Sequence, residues 1–194
     1  AGMSNSATAM LVSAAIDFLR AYPPFDRMEA EALRFLAEHV KLAHYPKGAR
    51  ILASEMGVAR TLHVLQRGKV RSKPGGGASV EHSAVTLGPG QCFSIPALMA
   101  QQPSSTVYVA REDVFCYDLP ADDFFSLTQK STVFNLFCTQ HIAGLLNQSQ
   151  QQLQLQLAQR AGEQKTMNSP LGAIIKRQPV AVAPETSVRQ VVEL

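Results

Sequence analysis

Between Tyr45 and Gly90 turn residues interrupt the chain about every ten positions. They fall at Pro46-Lys47-Gly48, Met56-Gly57, Arg67-Gly68, Pro74-Gly75-Gly76-Gly77 and Gly88-Pro89-Gly90. No helix of ordinary length fits between such breaks, and the runs they leave (ARIL, TLHVLQR, VRS, AVTL) are short and β-prone. This rhythm predicts an antiparallel β-barrel or roll built from local hairpins. The Gly-rich PGGG stretch lies between two strand candidates. It lacks the Lys-Ser/Thr and following helix of a phosphate loop, so it reads as a hairpin tip.

Helical patterns flank this region. Residues 1–10 are small and polar and are expected to be disordered. In 11–21, Val12, Ile16 and Leu19 share one face and the pattern stops before Pro23-Pro24. In DRMEAEALRFLAEHV, Asp26 is the expected N-cap, and Met28, Leu33, Leu36 and Val40 recur at near-helical spacing. After Pro120, Asp122-Asp123 suit the acidic first turn of a helix. A longer helical pattern then runs through STVFNLFCTQHIAGLLNQSQQQLQLQLAQR, with six glutamines in residues 149–160. Ile142, Leu146, Leu153 and Leu157 form a narrow apolar stripe, while Leu155 falls off it and LQLQL alone could alternate as a strand. A long, nearly uncharged helix with such a stripe can be buried by the same helix of a second subunit, giving a homodimer through residues 138–165. The alternative is a helix folded back on its own barrel.

Composition excludes several functions. Of 194 residues 46% are hydrophobic, enough for one core with appended segments. The net charge is +3, and the eighteen Lys and Arg residues are scattered rather than gathered on one face, so no DNA partner is expected. Cys92, Cys116 and Cys138 are widely spaced in apolar surroundings, as reduced core thiols of a cytoplasmic protein would be. Neither they nor the five histidines show metal-ligand spacing, so no metal site is expected. No apolar run approaches the ~20 residues of a membrane span. No pair of carboxylates and no nucleophile with a base can be assembled, so no catalytic residue is assigned.

The order of parts then carries a resemblance. Helices are followed by Gly turns at YPKGARI and VLQRGKV, by the cassette CFSIPALM…PSSTVYVA, and by a long closing helix, with PFDRM ahead of the second helix. This resembles the cyclic-nucleotide-binding domain over approximately residues 11–160. The resemblance implies a mainly β fold with flanking helices, an antiparallel jelly roll over residues 11–137 closed by a long C-terminal helix.

It also implies a place for the ligand. In nucleotide-binding members a Phe-Gly-Glu stretch opens a short helix, the Glu accepts from the ribose hydroxyl, and a Pro-Arg dipeptide gives its Arg to the phosphate. Here Phe93 keeps the Phe place, Ser94 stands for Gly, Ile95 for Glu, and Ser104 for Arg after Pro103. Losing a charge-assisted bond to phosphate costs about 1.5–3 kcal/mol, roughly ten- to a hundredfold in affinity. Cyclic AMP or cyclic GMP is therefore not expected to bind in the usual way. What remains is Ser94 as a helix N-cap, the N–H groups of Ala97 and Leu98, and the hydroxyls of Ser104, Ser105 and Thr106. Those groups suit another nucleotide or an anion, or merely shape the roll. Arg111 falls after a strand, where an exposed turn is expected.

The tail QPVAVAPETSVRQVVEL (within residues 166–194) resembles the opening of a CBS domain. A nucleotide-binding-like domain followed by CBS repeats is similar to bacterial signal-transduction proteins that continue into a nucleotidyltransferase domain related to PII-uridylyltransferase. The resemblance implies a non-enzymatic regulatory module that controls such domains in the same chain. The alternative is the nucleotide sensor of a catabolite-activator-type transcription regulator. Against it, PVAVAPETSV is extended and Pro-interrupted where a recognition helix would begin.

Overall fold

A computed structural model describes residues 2–75 and 84–167. Contacts divide the chain into two units, Ala1–Gln148 and Ser149–Leu194. The tail assigned to a CBS domain lies outside the described residues.

The first unit opens with α1 (Gly2–Leu19), a 3-10 turn (Phe25–Arg27) and α2 (Ala30–His39). α1 starts at Gly2, well ahead of the expected residue 11, so the segment expected to be disordered lies within a helix. Asp26 caps nothing. It sits inside the 3-10 turn, and extended Met28 separates that turn from α2, whose first residue follows Glu29. Met28, Leu33 and Leu36 are buried as their spacing predicts.

Eight strands follow: β1 (Lys41–Tyr45), β2 (Arg50–Leu52), β3 (Thr61–Arg67), β4 (Val70–Pro74), β5 (Val85–Leu87), β6 (Cys92–Phe93), β7 (Thr106–Ala110) and β8 (Val114–Pro120). They pair in two four-stranded sheets of order β1-β8-β3-β6 and β2-β7-β4-β5, antiparallel throughout. This is the expected roll. β4 and β5 pair antiparallel with Val70 opposite Leu87, and Gly76 and Gly77 of the Gly-rich stretch expected to form a hairpin tip lie outside the described residues. The turn before β4 needs glycine: Gly68 has φ +95°, and a Cβ there would lie 2.7 Å from the Asp113 carbonyl.

Alternation along the strands divides the core in two. Leu62, Val64 and Leu119 pack toward the helices, with Leu36, Phe124 and Phe134. Leu65, Val114 and Cys116 pack with Ile51 and Phe93. Two more helices close the unit: α4 (Ala121–Lys130), with Asp122 and Asp123 in its first turn, and α5 (Thr132–Met167). Ser131 starts α5. Its hydroxyl accepts from the Phe134 N–H (3.1 Å) and donates to Glu29 Oε2 (2.5 Å), which holds the Glu29 carboxyl below its ordinary range.

α5 is helical through LQLQL, so that segment is not a strand. Ile142 is half-buried, whereas Leu146, Leu153 and Leu157 are exposed, and Leu155, off the stripe, is exposed as well at 65%. Among the described residues no helix is long and apolar enough to cross a membrane.

Candidate functional site

The cassette comprises β6, the short helix α3 (Ile95–Ala100) and β7. Its backbone has the shape that the sequence suggests, but its side chains are otherwise engaged. Ser94 is left-handed, at φ 81°, and makes no side-chain cap bond to α3. Its hydroxyl lies 2.6 Å from the Thr61 carbonyl and against that of Phe93, so it ties α3 to β3 instead of capping. The expected N-cap is thus corrected: a left-handed residue aims its side chain away from the N–H groups of the helix it precedes. Leu98 also loses its expected role, because its N–H donates to the Ser94 carbonyl (2.9 Å).

Ile95 and Leu98 are 0% and 1% exposed and belong to the core beneath the helices, and Ala97 is buried there too. The Ile95 side chain therefore points into hydrocarbon. Ser104 is also buried. Its hydroxyl donates to the Thr106 carbonyl (2.7 Å) and accepts from the Thr106 N–H (3.2 Å), closing a local turn. Ser105 is exposed, and its carbonyl accepts from the Gly75 N–H (2.7 Å). Phe93 stacks between His63 (4.9 Å between centroids) and Tyr108 (4.6 Å), a column of rings between the sheets. Burial, foremost, raises the Tyr108 phenol. Arg111 is exposed after β7, as expected.

A second polar group lies on β1, β3 and β8, next to the cassette because His63 stacks on Phe93, and no sequence signal pointed to it. Its members lie 55 and 73 residues apart in the chain, and strand pairing alone unites them. Asp118 accepts from His63 Nδ1 at Oδ1 (2.7 Å) and from the Tyr45 hydroxyl at Oδ2 (2.6 Å). Burial, and then the Asp118 carboxylate, push the Tyr45 phenol far up from its ordinary value. These three residues line a cavity of about 450 Å³, together with Ile51, Leu52 and the β2–β3 connection through Arg60. None of the cassette residues from Phe93 to Thr106 lines it.

The three cysteines are buried, and desolvation, their main influence, pushes each thiol up to about 12. Such thiols are poor nucleophiles and poor metal ligands. Among the described residues no group of three potential metal ligands converges.

Comparison with known proteins agrees with the roll. Residues 42–131 match the family model of the cyclic nucleotide-binding domain. The chain is similar to the regulatory domain of Toxoplasma gondii PKA with cAMP (18% identity, TM-score 0.61), covering 71% of this chain and 52% of that one. It is similar to Thermus thermophilus catabolite activator protein (24%, 0.50), covering 69% and 60% respectively. A third likeness is to the PKAR CBD2 domain bound to Sp-2Cl-cAMPS (17%, 0.61), covering 76% and 93%. At these identities the likeness is one of fold, and the chain spans only about half of the Toxoplasma protein. No curated protein matches the sequence significantly. The roll thus has the fold of the cyclic nucleotide-binding type, with flanking helices and a long C-terminal helix.

Proposed function

We propose that this domain is the regulatory module of a signal-transduction protein whose cassette does not take cyclic AMP or cyclic GMP in the usual way. The observation that carries this is the burial of Ile95: a ribose hydroxyl brought to it would lose water and gain no acceptor. Ser104 supports the same reading, since its hydroxyl is already committed to its own turn. The attached domains would be CBS and nucleotidyltransferase-like units, and the module would bias them through α5. For that to be allostery, whatever the module binds must favour one arrangement of α5 over another.

Calorimetric titration with cyclic AMP, cyclic GMP, cyclic dinucleotides and adenine nucleotides tests the reading. No cyclic AMP binding below about 1 µM is expected. Tighter binding would overturn it and favour the nucleotide sensor of a catabolite-activator-type regulator.

The same reading has α5 pair with its copy, because Leu146, Leu153 and Leu157 are exposed and apolar. Light scattering at tens of micromolar should then give twice the 21.0 kDa chain mass. A monomer mass would remove the paired helix.

A further inference from the structure

The cavity at Tyr45, His63 and Asp118 is a polar feature that the proposed regulatory reading leaves unused. Its inner wall is polar. An ionised carboxylate has no hydrogen to give, so His63 Nδ1 carries the proton in its bond to Asp118. In the neutral imidazole, Nε2 then presents a lone pair. The His63 side chain is only 6% exposed, and Nε2 has no partner among the described residues. No fully buried side-chain nitrogen or oxygen among them lacks a partner, so Nε2 must reach accessible space, and His63 lines this cavity. Both Asp118 oxygens are already occupied.

The side walls are apolar. Ile51 and Leu52 are buried, whereas Met56 and Val58 line the hollow while 52% and 46% exposed. At the rim Arg60 is exposed and takes part in none of the ion pairs found among the described residues. A volume of about 450 Å³ lies within the usual range for small-molecule sites.

We infer that this cavity binds a small aromatic acid carrying a hydroxyl or ring N–H. The donor meets His63 Nε2, the ring lies on Leu52, Met56 and Val58, and the anionic group meets Arg60. The Asp118 charge at the inner end sets that orientation, since a ligand anion placed beside it would be repelled. This inference does not require a ligand at the cassette, although Val58 bridges to Pro103 and the Ala59 N–H donates to the Gln102 carbonyl.

The test is NMR of the histidine-labelled protein titrated with para-hydroxybenzoate and para-hydroxyphenylacetate. The His63 Nε2 resonance should shift saturably with at least one of them. Benzoate, which lacks the donor, should bind about tenfold more weakly, and Arg60→Gln should weaken the hydroxy acid by about tenfold or more. Arg60 is exposed, so that variant keeps the fold, and the benzoate comparison needs no variant. No saturable shift at millimolar acid overturns the proposal. So does equal binding of benzoate, or unchanged binding by Arg60→Gln. Tight cyclic AMP binding at the cassette would overturn the regulatory reading above without touching this one.

Discussion

The cassette and the mouth of the Tyr45–His63–Asp118 cavity both hold polar side chains and use them in opposite ways. In the cassette the Ser94 and Ser104 hydroxyls are bonded to nearby backbone, and Ile95 faces the core. At the mouth, Asp118 gathers His63 and Tyr45, all three line the cavity, and His63 Nε2 has no partner among the described residues. A backbone can keep the outline of a binding site after its chemistry has been absorbed into packing. Conversely, residues without any motif can assemble unsatisfied polar capacity. Binding potential is therefore better judged from which polar atoms remain unpaired than from which loop carries the familiar shape.

The strongest challenge to that contrast is Ile95→Glu, which restores a carboxylate to the cassette. In a site that is 0% exposed and surrounded by hydrocarbon, the charge has no partner. We expect a loss of about 3–5 kcal/mol in urea unfolding. A variant of unchanged stability that gains cyclic AMP affinity would mean that α3 swings Ile95 outward readily. The cassette would then be a dormant site instead of a structural element.

Asp118→Asn probes the mouth in the same way. Asparagine keeps the volume and one acceptor but removes the charge that both partners use. The expected cost is about 1.5–3 kcal/mol. The Tyr45 phenol should titrate at lower pH than in the parent, because the Asp118 charge that helps raise it is gone while burial, the larger cause, persists. Ultraviolet titration reads this directly, and an unmoved phenol would show that burial alone governs Tyr45.

Alkaline unfolding compares the two regions through their thiols, Cys92 in β6 and Cys116 in β8. Burial raises both from an ordinary 9.0 to about 12. Above pH 9 the unfolded chain loses these protons while the folded chain retains them. Stability is therefore complete below pH 9 and falls as pH rises toward 12, by about 1.4 kcal/mol per pH unit for each thiol. Cys92→Ala and Cys116→Ala should each flatten that slope. If only one does, the other thiol has access to water and its region is more open than the structure implies.

How much of this was legible in the sequence follows from the range of the interactions. Turn chemistry is local, so Gly68 and the neighbouring breaks outlined the roll directly. Helical periodicity places Leu33 and Leu36 correctly in the core, whereas Met28 is buried from an extended position ahead of α2. That Ile95 and Ser104 are uncharged is read directly from the sequence. The backbone angle of Ser94 was hidden, because serine is an ordinary N-cap and nothing local reports a left-handed twist. The Tyr45–Asp118–His63 group was hidden for a different reason. Its members meet only through the β1–β8 and β8–β3 registers, which a pattern of hydrophobic and polar residues does not fix between distant strands.

The smallest effect is expected at Ser94, and there the two regions touch, since its hydroxyl reaches the Thr61 carbonyl two residues before His63. A left-handed non-glycine residue costs about 1–2 kcal/mol, and the hydroxyl bond returns about 1. Ser94→Gly removes strain and bond together, so its stability should stay within about 1 kcal/mol of the parent. Ser94→Ala keeps the strain and loses the bond, and should fall below the glycine variant by about 1–2 kcal/mol. Chemical denaturation of the pair separates the two contributions. If alanine matches glycine, the twist costs nothing here and the hydroxyl alone accounts for serine. If alanine falls well below glycine, the strain is real, and the bond to Thr61 is what lets serine occupy a place whose geometry favours glycine.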